Sequence, residues 1–448
     1  MFILDKSFFK LLLGMAIPLT LQNLINVGVG IMDTLMLGQL GEIPLSAAAL
    51  SNQLTFMFMV MNWGLAGGAG ILISQYWGKQ DVVAIHKVIA MMYATSVAFS
   101  LIFGMVATLM PNVFLSIFTD DVQVIAEGIL YLRILGIGYI FYSITSCTLT
   151  MLRSIKNVKI ATYVYLVSLF INVFFNWVFI FGNLGAPSLG VQGAAISTVI
   201  ARITEFCIVI VYIIFFEKEL KIGKDTFKVP EKVMRGDFIK TCTPVILNEF
   251  MWTLGTIVVT AIISRLGTDV VAANSIANVV NQFLTVFIYG LSGAASVIIG
   301  NSIGEGDYDK TKRSAATIAL CVGVSGVISG IIAYNIRGFV VQFYNVEEAT
   351  KQIAMMIIGI NSFVIVFQTL ANTINVGILR AGGDVKFVLV NDIIFMWIVA
   401  IPLGIVAAFV LNLNLIYVFI IVRLDEILKM LVGGYRLLSW KWINNVTR

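Results

Sequence analysis

Residues 52–81 read NQLTFMFMVMNWGLAGGAGILISQYWGKQD, and residues 278–307 read NVVNQFLTVFIYGLSGAASVIIGNSIGEGD. Set 226 residues apart, the two stretches pair Asn52 with Asn278, Gly64-Leu65 with Gly290-Leu291, and Gly67 and Ala69 with Gly293 and Ala295. Gly78 and Asp81 meet Gly304 and Asp307 in the same register. Upstream, Pro18 meets Pro244 and Leu40-Gly41 meets Leu266-Gly267. Downstream, one residue later in register, Leu152-Arg153 meets Leu379-Arg380 and Val158-Lys159 meets Val385-Lys386. The chain is a duplication.

What is duplicated belongs in a bilayer. Of 448 residues, 59% are hydrophobic and 12% charged, where soluble domains sit near 45–50% apolar and ~25% charged. Together with a mean hydropathy of +0.97, this excludes a soluble enzyme, a nucleic-acid binder and a disordered chain. A helix needs ~20 apolar residues to cross a hydrocarbon core of ~30 Å. Twelve such runs are found, at about 11–38, 46–74, 87–110, 124–148, 160–182, 191–216, 239–264, 271–299, 314–336, 351–378, 387–411 and 415–438. The first is too long for a leader peptide and reads as a retained span.

Six spans fall on each side of the longest polar connection, giving lobes 1–216 and 239–448 and a linker at 217–238. Because six is even, both copies share one topology, as parallel repeats about an axis along the membrane normal. The expected fold is an all-α membrane protein, twelve transmembrane helices in two six-helix lobes related by a pseudo-twofold axis. With the N-terminus cytoplasmic, 23 of the 29 Lys and Arg fall on the cytoplasmic side or its edge, Lys224, Lys228, Arg380, Lys429 and Arg448 among them. Only Arg265, Arg337 and Lys351 fall outside, and Arg133, Arg202 and Arg423 lie within spans. That split places both termini in the cytoplasm.

The four cysteines, Cys147, Cys207, Cys242 and Cys321, stand singly in apolar segments and read as small hydrophobes. The single His86 falls in a short charged connection, which argues against a histidine relay or metal site.

Polar residues inside spans mark packed or water-filled interiors, because lipid satisfies neither amides nor carboxylates. The first span carries Gln22, Asn26 and Asp33, and the second Asn52, Thr55 and Asn62. Asn172 and Asn176 lie in the fifth, and Glu249, Thr253, Thr256 and Thr260 at helical spacing in the seventh. The eighth shows Asn274, Asn278, Asn281 and Thr285, and the tenth Asn361, Gln368, Asn372 and Asn375. A single stripe serves as interhelical glue at ~0.6 kcal/mol per bond; matching stripes in both halves read as cavity walls. Such a plan suits a secondary transporter with its substrate site between lobes.

Two of these residues are acids. Asp33 follows Lys10 by 23 residues, ~34 Å of helix, and so lies toward the outer side. Glu249 is nine residues past Lys240, ~14 Å in, nearer mid-membrane. In the repeat, Asp33 corresponds to Val259 and Glu249 to Asn23, so each half carries its own acid. A carboxylate at such depth is costly unless it takes a proton or a cation. Asp392, within a span but only one turn in and near Lys386, reads equally as a further functional acid or as an interfacial residue, and Arg202 with Glu205, and Arg423 with Asp425 and Glu426, as charge pairs between helices.

The chain resembles the multidrug and toxic compound extrusion (MATE) family, in particular its bacterial NorM- and DinF-like members. The resemblance rests on Asp33-Thr34-Leu35-Met36-Leu37-Gly38, Gly190-Val191-Gln192-Gly193-Ala194-Ala195, Thr243-Pro244 through Glu249, and Leu379-Arg380-Ala381-Gly382, found in order across nearly the whole length. It implies a monomeric antiporter of a bacterial-type plasma membrane that exports small organic, often cationic, compounds against inward Na⁺ or H⁺. It further implies an N-lobe cation site of Asp33, Asn172, Asn176 and Thr198, a possible Na⁺ position at Asp33, and a C-lobe acid at Glu249. Position 176 is Asn where some members have Asp, and the tenth span has no acid in Phe367 to Asn372, so C-lobe coupling would rest on Glu249 alone.

No other cofactor is implied. Substrate would be bound between lobes by Gln22, Asn26, Asn52, Thr253, Thr256, Asn274, Asn278 and Asn372, with Met57, Trp63, Trp252, Phe283 and Tyr289 supplying adaptable contact and cation–π attraction. A lipid-linked oligosaccharide flippase is the alternative transporter, and a non-transporting membrane scaffold the alternative outside transport. A flippase's anionic substrate would want free Arg or Lys in the spans, where only Arg133, Arg202 and Arg423 stand.

Overall fold

The computed structural model describes residues 2–3, 5–223, 226, 231–344 and 346–447. Lys224, Lys228 and Arg448, counted above as cytoplasmic cations, lie outside the described residues. Among those described the chain is helical, with no strand.

Among the described residues, eleven helices are long and apolar enough to cross a membrane. They are α1 (Lys6–Gly38), α2 (Glu42–Gly78), α3 (Val82–Leu109), α4 (Val122–Ser154), α5 (Lys159–Phe181) and α6 (Val191–Phe215) in the first half. The second half has α7 (Lys232–Ser264), α8 (Thr268–Gly304), α9 (Tyr308–Val341), α10 (Glu348–Leu379) and α11 (Val385–Val410). The twelfth expected span is broken at Arg423 into α12a (Leu415–Val422) and α12b (Leu424–Leu438). Hydropathy registers the apolar content of that segment and is blind to the break, which non-regular backbone permits only where protein covers it. Wider, π-type turns close α10 at Thr373–Leu379 and occur in the middle and at the end of α11, at Ile393–Ala400 and Val406–Val410.

The duplicated stretch explains its own local structure. Asp81 and Asp307 cap the following helices, each Oδ1 accepting a backbone N–H at 2.9 Å, from Ala84 and from Lys310. These bonds satisfy donors that the first turn of α3 and of α9 leaves without an intrahelical partner. Helices overrun the spans read from hydropathy; α2 begins at Glu42 and ends at Gly78. His86 accordingly lies within α3 rather than in a connection, its Nε2 2.6 Å from the Leu220 carbonyl. The four cysteines are all free thiols.

Two compact units are resolved. One comprises Leu21–Ile73 with Asp81–Ile246, and the other Met1–Thr20, Ser74–Gln80 and Leu247–Arg448. In the first, Phe58 stacks on Tyr139 at 4.6 Å, within a core that includes Tyr131, Leu132, Leu135 and Ala195. In the second, Trp442 is fully buried among Ile299, Ile378, Leu379 and Leu437.

Here the repeated glycines meet. A Cβ on Gly304 would strike the Gln75 carbonyl and stand 3.0 Å from the Cα of Gly78, and one on Gly78 would strike the Asn301 carbonyl. The α2 and α8 backbones touch at this point, and only glycine fits. Gly304→Ala is expected to cost about 1–3 kcal/mol, as overpacking does, and to show as a lowered melting temperature in detergent. The Leu379-to-Gly382 motif is similarly wrapped: Asn444 N–H donates to the Gly382 carbonyl at 2.8 Å, and Gln75 Nε2 donates to that of Ala381 at 3.0 Å.

Candidate cation-coupling site

Within the first unit, α1 and α5 bring Asp33 to two asparagines one helical turn apart. Asn176 Nδ2 donates to Asp33 Oδ1 at 2.5 Å and to Asn172 Oδ1 at 3.2 Å. Asn172 Nδ2 in turn reaches Thr198 Oγ1 on α6 at 3.5 Å. Asn172 and Asn176 are buried at 2% and 0% exposure, while Asp33 is half-buried. Asn176 Oδ1 is buried with no hydrogen-bond partner. The four residues implied by the resemblance thus form one connected cluster, and no ion pair reaches Asp33 among the described residues.

Nearby on α6, Arg202 is fully engaged elsewhere. Its guanidinium bonds both oxygens of Glu205, at 2.8 and 2.9 Å, and Ser168 Oγ donates to Glu205 Oε1 at 2.5 Å. The pair lies one turn apart on a single helix, not between helices. Arg202 also stacks over the Tyr142 ring at 5.1 Å, and Tyr142 accepts from Trp63 Nε1 at 2.8 Å. Thr55 and Tyr139 hydroxyls are 2.9 Å apart.

In the second unit the geometry differs. Glu249 is not an unpaired acid: Arg380 Nη1 on α10 lies 2.7 Å from its Oε1. Arg380 Nη2 donates to Asn248 Oδ1, whose amide donates to Asp392 Oδ2 at 2.6 Å. Lys429 Nζ on α12b lies 3.6 Å from Asp392 and 2.9 Å from Asp425. Asp392 therefore belongs to a chain of charges rather than to the interface beside Lys386. Asp425 pairs with Lys429 one turn on. Arg380 and Lys429, read from sequence as edge cations, are buried at 6% and 4% exposure.

The residues expected to contact substrate are placed as follows. Asn26, Asn52, Trp63, Trp252, Thr256, Asn278, Phe283 and Tyr289 are exposed, Met57 and Asn372 half-buried, and Gln22, Thr253 and Asn274 buried. Gln22 is spent on α5, donating to the Val158 carbonyl at 3.1 Å and to Thr162 at 3.2 Å. Thr253, Thr256 and Thr260 donate to carbonyls one turn back, at 2.9–3.0 Å, so their helical spacing reflects back-bonding to their own helix. Asn248 and Lys429 were missed. The signal available was the four acids within C-half spans, Glu249, Asp392, Asp425 and Glu426, with Arg380 and Lys429 close by in the chain.

A duplicated bundle of membrane-spanning helices, with a carboxylate held among amides in one half and a charge chain in the other, defines a multi-pass membrane transporter. The MatE family profile matches residues 18–178 and 244–406, once in each half; the chain belongs to this family. It is 26% identical over 449 residues to the uncharacterized transporter YisQ of Bacillus subtilis, covering 98% of this chain and 96% of that one. It is 24% identical over 436 residues to the probable multidrug resistance protein YoeA of the same organism, covering 95% and 92%. A probable multidrug resistance protein, NorM, of Thermotoga maritima is 23% identical over 443 residues, covering 97% and 93%. The fold is that of a Vibrio cholerae MATE transporter, with a TM-score of 0.89 at 17% identity and 98% of each chain covered. A MOP superfamily transporter from Pyrococcus furiosus shares it at 0.86, with 16% identity and 96% of each chain covered.

Proposed function

We propose that the chain is an efflux antiporter that exports organic cations in exchange for Na⁺ or H⁺ entering at Asp33, by alternating access. The observation that carries this reading is the Asp33 carboxylate, bonded to the Asn176 amide and without an ion-pair partner among the described residues. A carboxylate removed from water is costly unless its charge is neutralised. With no ion-pair partner among the described residues to do so, the neutralising charge comes from outside: a proton, a metal cation or the charged group of the exported compound. Those ligands compete for one group, and exchange follows if each favours a different conformation of the protein.

The donor set suits either coupling ion. A proton needs only a carboxylate oxygen. Na⁺, a hard cation, takes oxygen ligands, and the carboxylate, the unpartnered Asn176 Oδ1 and the Thr198 hydroxyl are all oxygens. The multidrug resistance proteins among the relatives support the substrate class. The pairing of Arg202, Arg380 and Lys429 with carboxylates speaks against an anionic lipid-linked substrate. The distribution of Lys and Arg supports cytoplasmic termini in a bacterial-type plasma membrane.

Ethidium efflux from proteoliposomes tests the reading, with Na⁺ and pH gradients imposed one at a time. One of the two gradients is expected to accelerate efflux above the rate with no gradient. If neither does, the antiport assignment fails.

A further inference from the structure

Two arginines stand outside the charge networks above. Arg133 on α4 and Arg337 on α9 pair with no carboxylate among the described residues. Arg133 is exposed, on one helix face with the exposed Leu130 and Ile137. An apolar, exposed face on a membrane span meets lipid tails. A guanidinium on that face is costly unless it reaches the interface and finds a counter-charge there.

Helix lengths place it at the interface. Arg133 precedes Arg153, in the last turn of α4, by 20 residues, ~30 Å of helix, which is the thickness of the hydrocarbon core. With Arg153 at one edge beside Lys156 and Lys159, Arg133 stands at the opposite one. Arg337 follows Arg313 by 24 residues along α9, ~36 Å, and reaches the far edge in its own half. The duplication relates the two. The repeat position of Arg133 is Gly359 on α10, and a Cβ there would stand 3.8 Å from Arg337 Nη1. In each half a guanidinium thus lies at the same point of the fourth helix, supplied by that helix in the first half and by the third in the second. Arg337 is half-buried, its Nη1 is buried without a hydrogen-bond partner, and its guanidinium stacks 3.5 Å from the centre of the exposed Tyr334 ring. What recurs is the charge and not the residue position, which is the mark of a shared ligand.

We propose that Arg133 and Arg337 each hold the phosphate of a phospholipid, at the membrane face opposite the Lys- and Arg-rich connections. A guanidinium presents planar, charged donors that match phosphate oxygens two at a time. Its long stem stays among the tails while its head reaches the headgroup layer. The phosphate supplies the counter-charge that no described carboxylate does. The exposed apolar residues beside each guanidinium, Leu130 and Ile137 in the first half and Phe363 in the second, offer a surface to acyl chains. A free anion has no use for that surface, so the source of the phosphate is lipid. The binding does not depend on whether the chain is an antiporter.

Ile137 and Phe363 are equivalent in the repeat, one turn inward of Arg133 and Gly359, and both are exposed. The test places p-benzoylphenylalanine at one or the other in the full-length protein, reconstituted with equal parts of phosphatidylglycerol and galactosyl diacylglycerol carrying the same chains. Photolysis labels each position with its neighbouring lipid, read by mass spectrometry. Phosphatidylglycerol is expected to be favoured about five-fold at each position, the effect of one arginine at a charged membrane surface. Arg133→Met is expected to abolish the preference at 137 and keep it at 363, and Arg337→Met the reverse. Arg133 is exposed, so its substitution tests the proposal even where Arg337→Met does not fold. Equal labelling by the two lipids with both arginines present overturns the proposal, as does a preference that survives the matching substitution. A preference lost on adding inorganic phosphate at matched ionic strength also overturns it, and assigns the guanidiniums to a free anion.

Discussion

Asp33→Asn is expected to reduce gradient-driven efflux to the rate of protein-free liposomes while leaving the protein folded. The substitution keeps the side chain's size and removes its charge, so Asn176 meets an amide oxygen where it met a carboxylate. An amide accepts that hydrogen bond but neither takes up a proton nor balances a cation, and among the described residues no other acid joins the Asn172, Asn176 and Thr198 cluster. The inbound ion then loses its differential affinity for the two conformations, without which no gradient drives the exchange. Glu249→Gln is expected to retain gradient dependence, because the Glu249 charge is already met by Arg380. Efflux assays on the two variants side by side decide the matter. Loss of coupling in Glu249→Gln with its retention in Asp33→Asn would reverse the roles.

The second large effect concerns stability. Arg380→Met leaves Glu249 without its cation and Asn248 Oδ1 without its donor, both within the second unit. Removing one partner of a buried ion pair costs about 3–5 kcal/mol. Glu249 retains 24% exposure and is not fully enclosed by protein, so the loss is expected near the lower end. Adding Glu249→Gln removes the stranded charge, and the double variant is expected to be more stable than Arg380→Met alone, a coupling that a double-mutant cycle reads directly. Unfolding by titration with sodium dodecyl sulfate supplies the free energies. An Arg380→Met protein as stable as the wild type would show that the pair does not hold α7 to α10.

Short-range features were open to a reader of residues alone. The apolar runs that became α1 to α11 needed only counting, because a bilayer demands a continuous apolar length and a helix is the cheapest way to supply it. The repeat register picked out Gly78 with Gly304 and Asp81 with Asp307 without saying why; contact of the α2 and α8 backbones and capping of α3 and α9 supply the reasons. Helix ends were misjudged because helices continue past the hydrocarbon, where hydropathy falls but backbone hydrogen bonding does not. The break at Arg423 leaves no mark in hydropathy, which counts apolar residues and not backbone hydrogen bonds.

Asp33 and Glu249 look alike as residues: each is the lone acid of its apolar span, beside amides and threonines. Sequence alone determined that this is a duplicated bundle of membrane helices with an acid in each half, since composition, spacing and repetition are properties of the chain. Only the tertiary structure decided that Asp33 meets amides 139 and 143 residues away in the chain, Asn172 through Asn176, while Glu249 meets an arginine 131 residues away. The cost of a buried charge depends on what faces it across space, and that neighbour is chosen by packing.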